Sequence, residues 1–195
     1  MMIWQRDNIS TYTNLELIAG CIEGKSKCQE ALYKRFFSLA MSICVRYAPN
    51  GSEVMEVVND GFLKIFDNLQ LYDTQRPFKA WLSRIMVNTA IDYYRRNVKS
   101  SNMVLDNKRE GEENDPEIEH TLSADDIVKL FALLPDTYRI TFNLYEVEGY
   151  SHEEIGQMLG VTASTSRSNL TRAKKMLQML YRQHISKEKR CHEIV

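Results

Sequence analysis

Apolar positions along this chain recur with a helical period almost throughout. In FKAWLSRIMVNTAIDYYRR, residues 78–96, Leu82, Ile85, Met86, Thr89 and Tyr93 fall on one side at 100° per residue and predict a core face. Trp81, Arg84, Asn88, Asp92 and Arg95 collect on a second side. Taken alone, that second side reads equally well as a solvated surface with one stray aromatic. In EVMEVVNDGFLKIFDNL, Val54, Val57, Val58, Phe62, Ile65 and Leu69 supply the buried stripe. Glu53, Glu56, Asn59, Asp60, Lys64 and Asp67 are left at the surface. Ser52 is placed to cap this helix, with Glu53 at the positive end of its dipole. Gly61 inside it costs roughly 1 kcal/mol against alanine, which predicts a close neighbour there. Upstream, CQEALYKRFFSLAMSICVRYA predicts a further amphipathic helix, stopped by Pro49-Asn50-Gly51. Between the two C-terminal segments of this domain lies QLYDTQRP, a loop kept apart from the next helix because Pro77 favours an extended Arg76.

No convincing period-two alternation occurs, so the chain is expected to be all-α. A polar segment, DNKREGEENDPEIEH, holds too little apolar surface to order itself and predicts a flexible acidic linker. The expected organisation is a helical domain over 1–98, a linker over 99–122 and a second helical domain over 123–195. Charge sharpens this division. The total is −1, yet residues 1–98 carry 12 Lys/Arg against 10 Asp/Glu, 99–126 carry 3 against 9, and 127–195 carry 10 against 7. An acidic stretch thus separates two mildly basic ones.

The sharpest local signal is YSHEEIGQMLGVTASTSRSNLTRAKKML. Ser151 and Glu154 have capping-box spacing and open a short helix to Leu159, and Gly160 suits the left-handed residue that ends it. Thr162 can cap the next helix, whose inner stripe is Ser166, Leu170, Ala173, Leu177 and Leu180. Ser164, Arg167, Ser168, Thr171, Arg172 and Lys175 face outward. Two helices joined by a three-residue turn containing glycine form the helix-turn-helix pattern. The outward face carries the residue types that bind phosphates and base edges in a major groove.

Other chemistries find little support. No Gly-rich phosphate loop, Ser/His/Asp set or HExxH appears, so no catalytic residues, cofactor or small-molecule substrate are expected. The four cysteines, Cys21, Cys28, Cys44 and Cys191, include no CxxC pair and read as reduced thiols of a cytoplasmic protein. The four histidines are scattered, and the Cys191–His192–Glu193 run alone predicts no metal site. No run of eighteen apolar residues and no secretory signal is visible.

Taken together, the two helical blocks resemble an extracytoplasmic-function sigma factor of the bacterial sigma-70 family. The segment from EVMEVVNDGFLKIF through FKAWLSRIMVNTAIDYYRR is similar to the family's second conserved region. LPDTYRITFNLYEVEGYSHEEIGQMLGVTASTSRSNLTRAKKML is similar to its fourth. The resemblance implies docking on the clamp of core RNA polymerase through Asn59, Asp60, Phe62 and Leu63, with the flap as a second region of contact. It implies that the helix carrying Trp81 and Asn88 binds and opens the minus-ten element. Tyr72, Asp73, Thr74, Gln75 and Arg76 would line a base pocket, while Trp81, Arg84, Asn88 and Arg95 hold the strand. Tyr93 and Tyr94 read as packing. The outward face of the helix-turn-helix would bind the minus-thirty-five element, where Ser164 and Ser166 replace the family's frequent Gly and Val. Implied partners are core polymerase, promoter DNA in double- and single-stranded form, and an anti-sigma factor. The rival is a one-component or response-regulator-type helix-turn-helix regulator. It would need a ligand or phosphoacceptor domain in residues 1–98, and no strand pattern for one is present.

Overall fold

The computed structural model describes residues 11–48, 51–100 and 124–192, and no strand occurs among them. Contacts divide the chain into one unit ending at Tyr94 and a second beginning at Arg95. The expected acidic linker lies almost wholly outside the described residues.

The first unit opens with α1 (Asn14–Ile22), an element the apolar pattern does not reveal. It starts at a capping box: the Thr13 hydroxyl accepts from the Glu16 N–H (3.3 Å), and the Glu16 carboxylate accepts from the Thr13 N–H (2.7 Å). That geometry satisfies two orphan donors at the helix start. Leu17, Ile18 and Cys21 face inward. Gly20 lets α1 approach α2 (Ser26–Cys44), because the Cys28 thiol occupies the space a Cβ would need. The α2 helix ends at Cys44 and gives way to a turn, earlier than its apolar pattern predicts.

The next helix, α3 (Gly51–Asn68), begins at Gly51, so Ser52 lies within its first turn and is not its cap. Val54, Val57, Val58, Phe62, Ile65 and Leu69 are all at most 2% exposed, as their spacing predicts. A 3₁₀ turn (Leu69–Leu71) leads through the loop to α4 (Phe78–Ser100). That helix runs to Ser100, two residues into the segment read as linker. Its buried side comprises Leu82, Met86, Val87, Thr89, Ala90 and Ile91, while Ile85 and Tyr93 are only half-buried. The face is broader than one stripe because α4 receives side chains from two helices. Phe36 of α2 meets Phe78 at 5.1 Å, and the Met86 thioether of α4 lies against Gly61 of α3. The glycine that the sequence marks as needing a close neighbour has one.

The second unit comprises α5 (Ala124–Ala132), α6 (Asp136–Phe142) widening into a π turn (Asn143–Val147), α7 (His152–Leu159) and α8 (Ala163–His192). Its core gathers Leu134, Ile140, Leu144, Ile155, Leu170 and Ala173. Arg139, 2% exposed, donates to the Asp136 carboxylate (2.7 Å) and the Leu134 carbonyl (3.4 Å), which ties α6 to the turn that precedes it. Such a paired charge is tolerable inside a protein where an isolated one is not.

Candidate nucleic-acid and polymerase interfaces

In the second unit, the predicted helix-turn-helix forms as its local signals require. Ser151 and Glu154 make the reciprocal capping box that opens α7, and Gly160 closes it at φ 71°. The Thr162 hydroxyl accepts from the Thr165 N–H (3.1 Å) and caps α8. Gly156 packs against the turn, where a Cβ would stand 2.7 Å from the Val161 carbonyl oxygen. Ser166 is fully buried, and its hydroxyl meets His152 Nδ1 at 2.9 Å. The His152 ring in turn stacks on Tyr145 at 4.4 Å, so the π turn, α7 and α8 brace one another. Lys174 and Glu146 add an ion pair at 2.7 Å.

This bracing holds the outer face of α8 steady. Ser164, Arg167, Ser168, Thr171, Arg172 and Lys175 are all exposed, as their spacing predicts. The Ser168 and Thr171 hydroxyls donate to backbone carbonyls four residues back, both at 3.1 Å, which leaves their oxygens as acceptors. Arg167 lies 3.6 Å from Glu153 of α7, and Arg172 reaches the Tyr138 hydroxyl at 3.5 Å. The side chains present donors and acceptors over about three turns of one helix face, as a helix lying in a major groove requires.

In the first unit, the loop before α4 is more self-contained than its composition suggests. The Asp73 side chain accepts from the Gln75 N–H (3.0 Å) and pairs with Arg76 (3.3 Å). Asp73 is thereby a turn former as well as an exposed anion. The Tyr72 hydroxyl donates to the Arg76 carbonyl, and its ring packs edge-on to Phe78 (5.1 Å) and against Trp81 (5.3 Å). Trp81 is accordingly half-buried in an aromatic trio, and Tyr72 fixes the loop while lining it. Thr74 and Gln75 are exposed, as are Arg84, Asn88 and Arg95 on α4.

Between α3 and α4 opens a shallow cleft of about 300 Å³, lined by Lys64, Asn68, Leu71, Trp81, Ile85, Asn88 and Thr89. Trp81, Ile85 and Asn88 follow one another at helical spacing along its wall. Lys64 is held by Asp92 across the cleft end at 3.0 Å. Thr89 is 1% exposed, and its hydroxyl has no hydrogen-bond partner among the described residues. A buried hydroxyl left unmatched costs about 1–3 kcal/mol. The sequence singles out Trp81 and Asn88 but not Lys64, Asn68, Leu71 or Thr89 as their companions. Only Lys64 and Asn68, one turn apart on α3, hint at them, and Leu71 follows in the 3₁₀ turn.

The α3 residues expected at the polymerase divide. Asn59 and Leu63 are exposed, Leu63 at 62%, and Asp60 is half-buried. Phe62 is 2% exposed, with its ring centroid 4.4 Å from that of Tyr33 and 6.1 Å from that of Phe66. Its place in the apolar period puts it in the core, so, against the expectation that it contacts polymerase, its side chain presents nothing to a partner. The Tyr33 hydroxyl donates to Asn59 Oδ1 at 3.2 Å.

Residues 32–100 match the family model for sigma-70 region 2, and residues 124–177 match that for sigma-70 region 4. The chain belongs to the sigma-70 family. Its similarity to curated proteins places it in the extracytoplasmic-function group. The sigma factor is 28% identical over 179 residues to the ECF RNA polymerase sigma-E factor of Escherichia coli K12, a match covering 85% of this chain and 92% of that protein. It is 25% identical over 178 residues to the sigma-E factor of Haemophilus influenzae, covering 85% and 94%. Among solved structures, it resembles the sigma factor RpoE of Bartonella quintana, crystallised with the anti-sigma factor NepR. That likeness is 22% identity at a TM-score of 0.48, over 77% of this chain and 94% of the other. The region 2 match takes in α3, the loop and the cleft, and the region 4 match takes in the helix-turn-helix.

Proposed function

We propose a division of labour for this alternative sigma factor in which each mapped surface serves one step of initiation. Asn59, Asp60 and Leu63 on α3 dock the chain on the clamp of core RNA polymerase. Arg167, Ser168, Thr171, Arg172 and Lys175, with Ser164 at the start of α8, read the minus-thirty-five element as duplex, while region 4 also engages the polymerase flap. The loop and the α3–α4 cleft then take the minus-ten element as single strand. Asn88 offers an amide with both a donor and an acceptor to a base edge, and Trp81 offers a ring face. Arg84 and Arg95 meet the backbone, and Thr74 and Gln75 form the polar rim of the loop. An anti-sigma factor completes the set of partners, as an inhibitor that would cover these surfaces until transcription is required. Acting with polymerase, the protein works in the cytoplasm, and no described helix is long and apolar enough to cross a membrane.

The cleft is the observation that carries this reading. Helices that bind duplex DNA read base edges with polar side chains on a convex surface. A concave site with a ring and an amide suits an unstacked base, whose lost stacking must be replaced at about 1–3 kcal/mol per aromatic contact. A conventional helix-turn-helix regulator would have no use for it.

The test is permanganate reactivity of thymines near the start site, with the Asn88→Ala holoenzyme compared with wild type on duplex and pre-melted templates. Asn88 is exposed, so its loss should spare folding and polymerase binding. Duplex opening should fall about 5- to 100-fold, the range of one lost base contact. Pre-melted DNA should restore much of the activity, because opening has been supplied. Equal reactivity on duplex DNA would reduce this face to solvated surface.

A further inference from the structure

Tyr33 belongs to α2, outside every surface assigned above, yet its hydroxyl reaches across 26 positions of sequence to the Asn59 side chain of α3. We propose that Tyr33 is a positioning residue for polymerase docking, fixing the Asn59 amide so that its N–H donors face the partner. The inference rests on the docking role given to Asn59.

Tyr33 can do this because its ring has a fixed platform. The Phe62 ring lies 4.4 Å away and is itself 2% exposed, and Phe37 of the same helix lies 5.4 Å away. A phenol held on two sides projects its hydroxyl in one direction. That hydroxyl carries a single proton, and the proton goes to Asn59 Oδ1. An asparagine amide has one acceptor oxygen and two N–H donors. With the oxygen engaged by Tyr33, the two N–H donors of the exposed Asn59 are left for a partner, one helical turn from the exposed Leu63. The matching group on polymerase is therefore an acceptor, a main-chain carbonyl or a carboxylate. An unanchored amide would sample both flips and several rotamers, and each would be lost on docking.

The experiment measures the affinity of the full-length protein for core RNA polymerase by fluorescence anisotropy. Four variants are compared with wild type: Tyr33→Phe, Asn59→Ala, the two combined, and Asn59→Asp. Tyr33→Phe keeps the ring on Phe62 and removes only the hydroxyl, so Tm should not move. Its Kd should rise about three- to tenfold, the range for immobilising one side chain on docking. Asn59→Ala should cost at least as much. Adding Tyr33→Phe to Asn59→Ala should cost nothing more, because the hydroxyl acts only through the amide. Asn59→Asp, which turns donors into a carboxylate, should bind more weakly than Asn59→Ala. Wild-type affinity in Tyr33→Phe alongside a loss in Asn59→Ala would overturn the positioning role and leave the docking surface standing. Wild-type affinity in Asn59→Ala would remove the docking role itself, and this proposal with it. An equal loss from Tyr33→Phe in both backgrounds would show that Tyr33 acts independently of Asn59. Wild-type affinity in Asn59→Asp would refute the donor assignment.

Discussion

Gly61→Ala sets two well-known effects against each other, and the structure decides the sign. Alanine is a better helix former than glycine by about 1 kcal/mol, so propensity alone predicts stabilisation. The new methyl would, however, land on the Met86 thioether, and because Met86 is fully buried its flexible end must repack within the core. Overpacking of this kind costs about 1–3 kcal/mol. The expected net loss is therefore about 1 kcal/mol, or roughly 4–8 °C in Tm for a unit of this size. Met86→Ala alone should cost about 2–5 kcal/mol by leaving a cavity. In that background the obstacle is gone, so Gly61→Ala should stabilise by about 1 kcal/mol, a coupling of about 2 kcal/mol between the sites. Urea unfolding followed by tryptophan fluorescence is a suitable assay, because Trp81 belongs to the first unit and residues 95–195 contain no tryptophan. A stabilising Gly61→Ala in the wild-type background, or an equal effect in both backgrounds, would refute the packing argument.

Arg167→Ala and Arg172→Ala should each weaken binding at the upstream element by about 1–3 kcal/mol if each makes a bidentate base contact. Core polymerase affinity should be unchanged, and upstream footprints that survive the double substitution would rule out this face. Thr13→Ala should destabilise the first unit by about 1 kcal/mol through the lost cap. The capping bonds from Thr13 hold the Glu16 carboxyl below its ordinary value. A lowered folded value means stability that is present above the unfolded carboxyl pKa and lost as pH falls through the folded one. Alanine keeps the N–H bond at position 13, the larger cause, and removes only the hydroxyl bond, so the difference between wild type and Thr13→Ala should shrink only in part in acid, as seen in Tm measured from pH 7 downward. Burial pushes the Cys21 thiol up to about 11 and the Cys44 thiol up to about 12. Both should resist iodoacetamide at pH 8 by at least about 100-fold relative to the unfolded chain, since the thiolate is the nucleophile. Peptide mass spectrometry reads this, and labelling at the unfolded rate would contradict their burial.

What could be read in advance followed the distance over which each signal acts. The helix-turn-helix was legible in detail because its caps, its left-handed glycine and its apolar stripe all lie within about thirty residues and act through the local backbone. The buried stripe of α3 was legible for the same reason. Phe62 shows how local and inherited readings compete. Its place in the apolar period puts it in the core, while similarity to the docking segment makes it a contact, and the period prevails because burying a phenylalanine outweighs a surface role. The α1 helix escaped notice because its nine residues carry too short a period, although Thr13 and Glu16 already spelled its capping box.

The cleft lies at the other extreme. Lys64, Asn68 and Leu71 meet Trp81, Ile85, Asn88 and Thr89 only because α3 and α4 come together after the chain turns through the loop. No pattern within either helix encodes that pairing. The odd surface of residues 78–96 is its one-sided trace: a tryptophan and an amide seven positions apart make sense when the opposite wall is present. The polar residues of the loop carry a further ambiguity, since the groups that could meet a nucleotide are the same ones that hold a turn. Asp73 and Arg76 pair with each other, and the Tyr72 hydroxyl secures the Arg76 carbonyl. A base entering this site would therefore meet a loop already folded on itself, so the exposed Thr74, Gln75 and Asn88 remain the groups able to choose it without first breaking a bond within the loop.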